Sequence, residues 1–281
     1  MKTMRAEETS ISVNRSVERA IQVLEALAFE MPNGEGTLTA LATQLGLPVP
    51  TVFRLLKTLE RHRLVQKDES RKTYRLGSHL LTLGLQVSAA ADLRREAVPI
   101  MSRLVEQTTE DCYLTVPDGY DGVFLEIVGG SQHLRIVERL GARVPLHCGA
   151  TRKAILAFMP RAFIEEYVRR PLKRFTEHTT TDPQALLQQL RNISEQGYAV
   201  TYGEYIAESR GISAPVFRAG GQVVASIGVI FPALRADPER MPGLIRAVRK
   251  AADELSSRLG FRGHVPASWP GSTDSSGAEC N

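Results

Sequence analysis

Thr51, Arg54, Lys57, Thr58 and Arg61 recur at helical spacing, opposite an apolar stripe of Val52, Leu55, Leu56 and Leu59. The planar guanidinium of Arg54 matches the paired O6 and N7 acceptors that guanine presents in a DNA major groove. Arg54 is therefore the candidate for direct base reading. Thr51, in the first turn, can meet a base or a phosphate, and Lys57 suits phosphate neutralisation. Phe53 is a candidate for contact with a thymine methyl, with core packing the equal alternative. Arg71 and Lys72 follow on a polar turn and would add two further cations for phosphates. From residue 51 to 75 eight basic residues face three acidic ones, a net +5 that exceeds the +4 of the whole chain. Charge concentrated on one small unit is the footprint of phosphate binding.

The elements that must hold these residues are legible in the periodicity. Leu38, Leu41, Ala42 and Leu45 form a first short apolar stripe, with Thr39 placed to cap its start and Gly46 to turn the chain. Pro48 and Pro50 are compatible only with the start of the second helix. Two short helices joined by a glycine turn predict a helix-turn-helix whose second helix enters the groove. An ordinary helical hairpin with a solvated charged face is the alternative. The next residues favour the first reading: the alternating segments 64–67 and 73–76 flank the turn 68–72, a basic-tipped β-hairpin of the kind called a wing. Upstream, Val17, Ala20, Ile21, Leu24, Leu27 and Ala28 predict a third helix, capped by Asn14.

With 281 residues, 43% hydrophobic and 23% charged, the chain has room for two domains with cores of their own. No apolar run has the length of a membrane span, and the N-terminal residues lack a signal segment. Cys112, Cys148 and Cys280 are odd in number and lack CxxC spacing, which points to a reducing compartment; a cytoplasmic location is expected. The boundaries read as 13–77 for the winged helix-turn-helix domain, 78–91 for a linker helix, 92–262 for a second domain and 263–281 for a disordered tail. The linker is apolar on several sides through Leu80, Leu81, Leu83, Leu85 and Val87, and would pack on a partner copy or on its own second domain. In that domain helices are expected at 94–109, 152–158, 162–169, 183–196 and 238–259. Strands are expected at 112–116, 123–128, 134–137, 198–201, 211–217 and 223–229. Hairpin-linked strands with helices segregated from them indicate an α+β fold on an antiparallel sheet.

A second candidate site lies where the small residues 148–151 precede a helix. Free N–H groups at a helix start suit a ligand carboxylate. Ala150 would allow close approach, Thr151 would add a hydroxyl, and Arg152 a cation if it points inward. A solvated surface position is the first reading of Arg152 taken alone. Thr201, Glu204, Gly211, Ser213, Ser226 and Gly228 would form the facing wall, with loop capping an alternative role for Glu204. Tyr113 and Leu114 suggest a partly apolar cavity suited to an aromatic or short aliphatic acid. His147 and Cys148 are adjacent, so on a strand they would point to opposite faces, and no metal site is expected. Cys148 as a nucleophile is the enzymatic alternative, but no base and orienting acid accompany it in the sequence. Neither catalytic residues nor a cofactor are expected.

Several separated blocks resemble, in order, the IclR family of bacterial transcriptional regulators. SVERAIQVLEALA resembles the family's first helix, LTALATQLGLPVPTVFRLLKTLE its helix-turn-helix, and YRLGSHLLTLG its passage from wing to linker. GARVPLHCGATRKAILAF and GYAVTYGEYIAESRGISAPVFRAGGQVVASIGV resemble its second domain. The resemblance implies a winged-helix domain that binds double-stranded operator DNA within a homodimer or homotetramer. It also implies a C-terminal domain, similar to GAF domains, that binds a small-molecule effector and alters DNA affinity. Three departures stand out: Arg152 where the family often has glycine, Val49-Pro50 where it often has Lys-Ser, and Gly203-Glu204 where it often has two glutamates. The expected function is a DNA-binding regulator, with repression the expected mode, controlled by a small organic or aromatic acid. The alternative is a metabolite-processing enzyme whose active site is the second domain.

Overall fold

Asn14 begins the first helix by accepting N–H bonds from Ser16 and Val17, leading α1 (Arg15–Glu25). The structure is a computed structural model and describes residues 14–85 and 88–263. The residues before 14, the tail from 264 on, and Gln86 and Val87 of the expected linker lie outside the described residues. The chain divides between Ser88 and Ala89 into two units.

In the first unit α1 runs into a π-helical stretch, Ala26–Glu30. Then follow β1 (Glu35–Thr37), α2 (Leu38–Leu45), α3 (Val49–Arg61), β2 (Val65–Asp68), β3 (Thr73–Leu76) and α4 (His79–Leu85). Thr37 rather than Thr39 caps α2, its hydroxyl accepting the Ala40 N–H. Thr37 ends β1 with the extended backbone that an N-cap needs, whereas Thr39 already lies inside the helix. Gly46 closes α2 at φ 61°, a left-handed conformation that glycine adopts without a Cβ penalty. The three strands pair in the order β1-β3-β2. The core gathers Val23 and Leu27 with Leu41, Val52, Leu56, Leu59, Val65 and Tyr74. The expected α1 stripe extends too far forward, because Val17 and Ile21 remain 56% and 50% exposed.

The second unit contains α5 (Ser88–Thr108), β4 (Asp111–Asp118), β5 (Asp121–Val128), β6 (Arg143–Pro145), α6 (Ala150–Leu156), α7 (Arg161–Arg169) and α8 (Pro183–Gln196), followed by β7 (Ala199–Tyr202), β8 (Ser209–Phe217), β9 (Val223–Pro232) and α9 (Met241–Arg258). Their sheet runs β6-β5-β4-β9-β8-β7, antiparallel at each junction. Alternation along the strands sorts two faces. Cys112, Leu114, Ile212, Ala214, Ala225, Ile227 and Val229 pack with α5 and α9. The intervening residues lie on the α6 face, where Leu146, Ala150, Ile155, Tyr167, Leu186 and Leu190 form a second core. The fold is thus a winged helix-turn-helix unit and an α+β unit on an antiparallel sheet.

Two expectations for this unit change. The expected linker divides between α4 and the first turn of α5, and α5 continues through the helix expected at 94–109, with Leu93, Ala97, Ile100, Met101 and Leu104 making a continuous buried stripe. Residues 134–137 form no strand; two of their carbonyls accept from side chains instead, Ile136 O from Tyr113 Oη at 2.6 Å and Leu134 O from Arg235 Nη1 at 2.9 Å. No helix among the described residues is long and apolar enough to cross a membrane.

Candidate functional site

On α3 the apolar stripe turns inward as the spacing predicts, since Val52, Leu56 and Leu59 are buried. That fixes the outward face. Arg54 and Lys57 are exposed and Thr51 half-buried in the first turn. Phe53 lies on the exposed side with Lys57 Nζ 6.0 Å from its ring centre, so it belongs to the outer face rather than the core. Lys57 also pairs with Glu60 at 2.9 Å. The Arg54 guanidinium has no ion pair or hydrogen bond among the described residues and is free to take one from a partner. At the wing tip Asp68 accepts bonds from Ser70 and from the Arg71 N–H, and these bonds hold its carboxyl below the usual carboxylate range. The turn leaves Arg71 and Lys72 exposed, with Lys72 at φ 55° and Arg71 loosely paired to Glu35 at 3.5 Å.

In the second unit a cavity opens at the start of α6. Ala150, Thr151, Arg152, Thr201, Glu204 and Gly211 all line it, as expected, joined by Glu138, Tyr205, Ile206 and Ser209. Ser213, Ser226 and Gly228 lie on the same sheet face but outside the cavity wall. The Ser226 hydroxyl donates to Thr151 O and that of Ser213 to Ile227 O, while a Cβ on Gly228 would stand 2.3 Å from Ile212 O. These three residues take part in the close packing of helix and strands.

Arg152 corrects the surface reading. It is 2% exposed, and its guanidinium lies 4.5 Å from the Phe124 ring centre and 5.3 Å from that of Tyr205. Gly122 on β5 makes this path possible, because a Cβ there would come within 2.7 Å of Arg152 Cγ. Arg152 Nε and Nη2 are buried without any hydrogen-bond partner, as are the hydroxyls of Thr115 and Thr151. Burial pushes the Arg152 guanidinium below its ordinary value, although a guanidinium stays charged. The half-buried Glu138 is raised by the same loss of water, opposed by the charge of Arg152.

At the start of α6 one N–H group is already taken by a side chain. Glu204 Oε2 accepts the Gly149 N–H at 2.9 Å, and Oε1 accepts from Lys153 Nζ at 2.5 Å. Lys153 is buried and donates also to Gln189 Oε1 at 2.7 Å. Glu204 therefore takes one N–H at the helix start, while Arg152, in the first turn, carries two buried donors without a partner. Glu138 and Tyr205 were not foreseen; they lie in irregular segments without periodicity, and nothing local marks them.

Neither Cys148 nor His147 has the setting of a nucleophile or a ligand. Burial pushes the Cys148 thiol up to about 12, which leaves negligible thiolate at neutral pH. Both His147 nitrogens are engaged, Nδ1 with Tyr167 Oη at 2.9 Å and Nε2 with Lys173 O at 3.0 Å. Among the described residues no group of three or more His, Cys, Asp or Glu side chains could hold a metal. Burial holds His147 below 6.5, so the unfolded chain takes up its proton at a higher pH than the native one. Native stability should therefore fall as pH drops from about 6.5 through the folded value, and the loss should be complete below it. An NMR titration of the His147 ring in the native protein checks the sign, and a midpoint at or above 6.5 would contradict it.

Comparison with known proteins matches residues 16–69 to the IclR helix-turn-helix domain and residues 85–257 to the bacterial transcriptional regulator IclR C-terminal domain. Among similar proteins, the HTH-type transcriptional regulator KipR of Bacillus subtilis is 33% identical over 80% of this chain and 90% of its own length. The probable transcriptional regulator SauR of Cupriavidus necator is 32% identical over 86% and 96%. The structure resembles an IclR homologue from Microbacterium hydrocarbonoxydans complexed with 4-hydroxybenzoate, with a TM-score of 0.76, 26% identity and coverage of 87% of this chain and 99% of that one. The chain belongs to the IclR family of bacterial transcriptional regulators, and it is a DNA-binding helix-turn-helix regulator rather than an enzyme.

Proposed function

We propose that this regulator reads its operator with the outer face of α3 and that a small organic acid, bound in the Arg152 cavity, sets its affinity for DNA. The observation that carries the effector reading is the buried Arg152 edge, two N–H donors withdrawn from water and left without an acceptor. Such an edge is costly unless an anion meets it. The 4-hydroxybenzoate bound by a relative of similar fold is itself a carboxylate, which supports an acid as the ligand class. Repression relieved or reinforced by that acid, in the cytoplasm, is the mode of action. The test is operator binding by fluorescence anisotropy, with the DNA flanking the protein's own gene, in the presence and absence of candidate acids. An unchanged isotherm across both aliphatic and aromatic acids rejects the effector role.

Arg54 is the base reader, and Thr51, Phe53, Lys57, Arg71 and Lys72 position the duplex. Arg54→Ala should cost about 1–3 kcal/mol on operator DNA and relax specificity at one base position. Lys72→Ala should weaken operator and random DNA alike and reduce the salt dependence by about one counterion. Identical behaviour of the two variants on specific and random duplexes would refute this division of roles.

The working state is a homodimer or a homotetramer, because one winged helix spans too few base pairs to be selective, and two-fold symmetry matches a palindromic operator. The exposed Val17 and Ile21 on α1 and Leu81 and Leu83 on α4 support a pairing surface. Sedimentation at micromolar concentration should show an oligomer, whereas a monomer that still binds operator tightly would contradict it.

A further inference from the structure

We propose that the effector is a short-chain aliphatic monocarboxylate held on the Nε–Nη2 edge of Arg152, and that Arg152 excludes aromatic acids from the cavity. This rests on the reading of the cavity as the effector site and narrows its ligand to one class.

The charge of the ligand follows from the guanidinium. Nε and Nη2 share one edge, and their parallel N–H bonds fit the two oxygens of a carboxylate. Both are the atoms left without partners, while the other buried cation of this region, Lys153, is already met by Glu204 and Gln189. Glu138, on the same cavity wall, forms no ion pair with Arg152 but contributes its own negative charge. With Glu204 committed to Lys153, Arg152 is the one cation of the wall free to meet a carboxylate, and Glu138 beside it repels a second negative charge and so disfavours a dicarboxylate.

The size of the ligand follows from what fills the cavity. The space in it open to a water-sized molecule is about 20 Å³, roughly the room of one water. The Arg152 side chain takes up the space between the Phe124 and Tyr205 rings, and its stem is seated on Gly122. A benzene ring would have to displace the guanidinium from between those rings and so lose the group that recognises its carboxylate. A short aliphatic acid also exceeds that void, but its smaller bulk can be met by a shift of the half-buried Tyr205 with the guanidinium left in place, and its methyl can be set against Ile206 and Ile230.

The experiment is isothermal titration calorimetry on the full-length protein with acetate, propionate, propionamide, succinate, benzoate and 4-hydroxybenzoate. Propionate should bind at least tenfold more tightly than its neutral isostere propionamide and than either aromatic acid. Arg152→Lys should weaken propionate at least tenfold, because a point charge lacks the fork. Arg152→Gly should abolish propionate binding, with thermal melting used to confirm that the variant is folded. The comparison among ligands on the unmodified protein needs no variant, so a misfolded Arg152→Gly does not protect the proposal. Wild-type preference for an aromatic acid, or unchanged propionate affinity in Arg152→Lys, overturns the proposal and leaves the effector reading intact. Failure of every acid to bind the unmodified protein overturns both.

Discussion

Replacing Glu204 by glutamine should destabilise the second unit by about 3–5 kcal/mol, the cost of removing one partner from a buried ion pair. The side chains of Lys153 and Glu204 are 1% and 8% exposed, so water cannot take the place of the lost charge. Glutamine keeps an oxygen for the Gly149 N–H but presents either that oxygen or an N–H₂ group to the ammonium. Gln189 and Thr180 remain as its acceptors, and both are neutral. Lys153→Met together with Glu204→Gln should recover much of the loss, because the orphaned charge disappears with its partner. Urea denaturation followed by circular dichroism reads this directly. A loss under about 1 kcal/mol for the single variant would show that the pair is hydrated or dispensable.

Leu56→Ala should abolish operator binding by unfolding the first unit while leaving the second folded. Leu56 is fully buried where α3 meets the core formed with Val23, Leu27, Leu41 and Tyr74. Truncating a buried leucine costs about 2–5 kcal/mol, and a domain of this size has little stability beyond that. The variant differs in kind from Arg54→Ala, which leaves the fold intact and removes one contact. Calorimetry should show the first transition shifted down or lost and a second that is unchanged. Retained operator affinity, with a melting profile like that of the unmodified protein, would mean that the site relaxes around the cavity.

Arg152 illustrates how far reading along the chain can go. Its neighbours in sequence, Thr151 and Lys153, give no sign of its direction. The side chain turns inward because Gly122 leaves room for its stem and because Phe124 and Tyr205 supply ring faces, and all three are distant in sequence. Glu204 is similar: its hydrogen bond to Gly149 joins residues 55 apart. The stretch 134–137 has the composition of a strand, yet Tyr113 and Arg235 take the carbonyls of Ile136 and Leu134. Long-range capture of this kind has no periodic signature.

What the sequence determined by itself is whatever local geometry controls. The recognition helix follows from a 3.6-residue stripe that has one way to face a core, and its cationic side is then outward by necessity. Helix α8 falls on the expected residues because Asp182 caps it and Gly197 ends it in a left-handed conformation, both by bonds within a turn. The strand alternation likewise put Gly211, Ser213, Ser226 and Gly228 on one face. Tertiary structure alone decided which of these meets a cavity and which is spent on packing. It also decided that Arg152, in the first turn of α6, turns inward with two of its donors unpaired. A backbone N–H has an acceptor or lacks one only once the chain has closed, and here Glu204 arrives first.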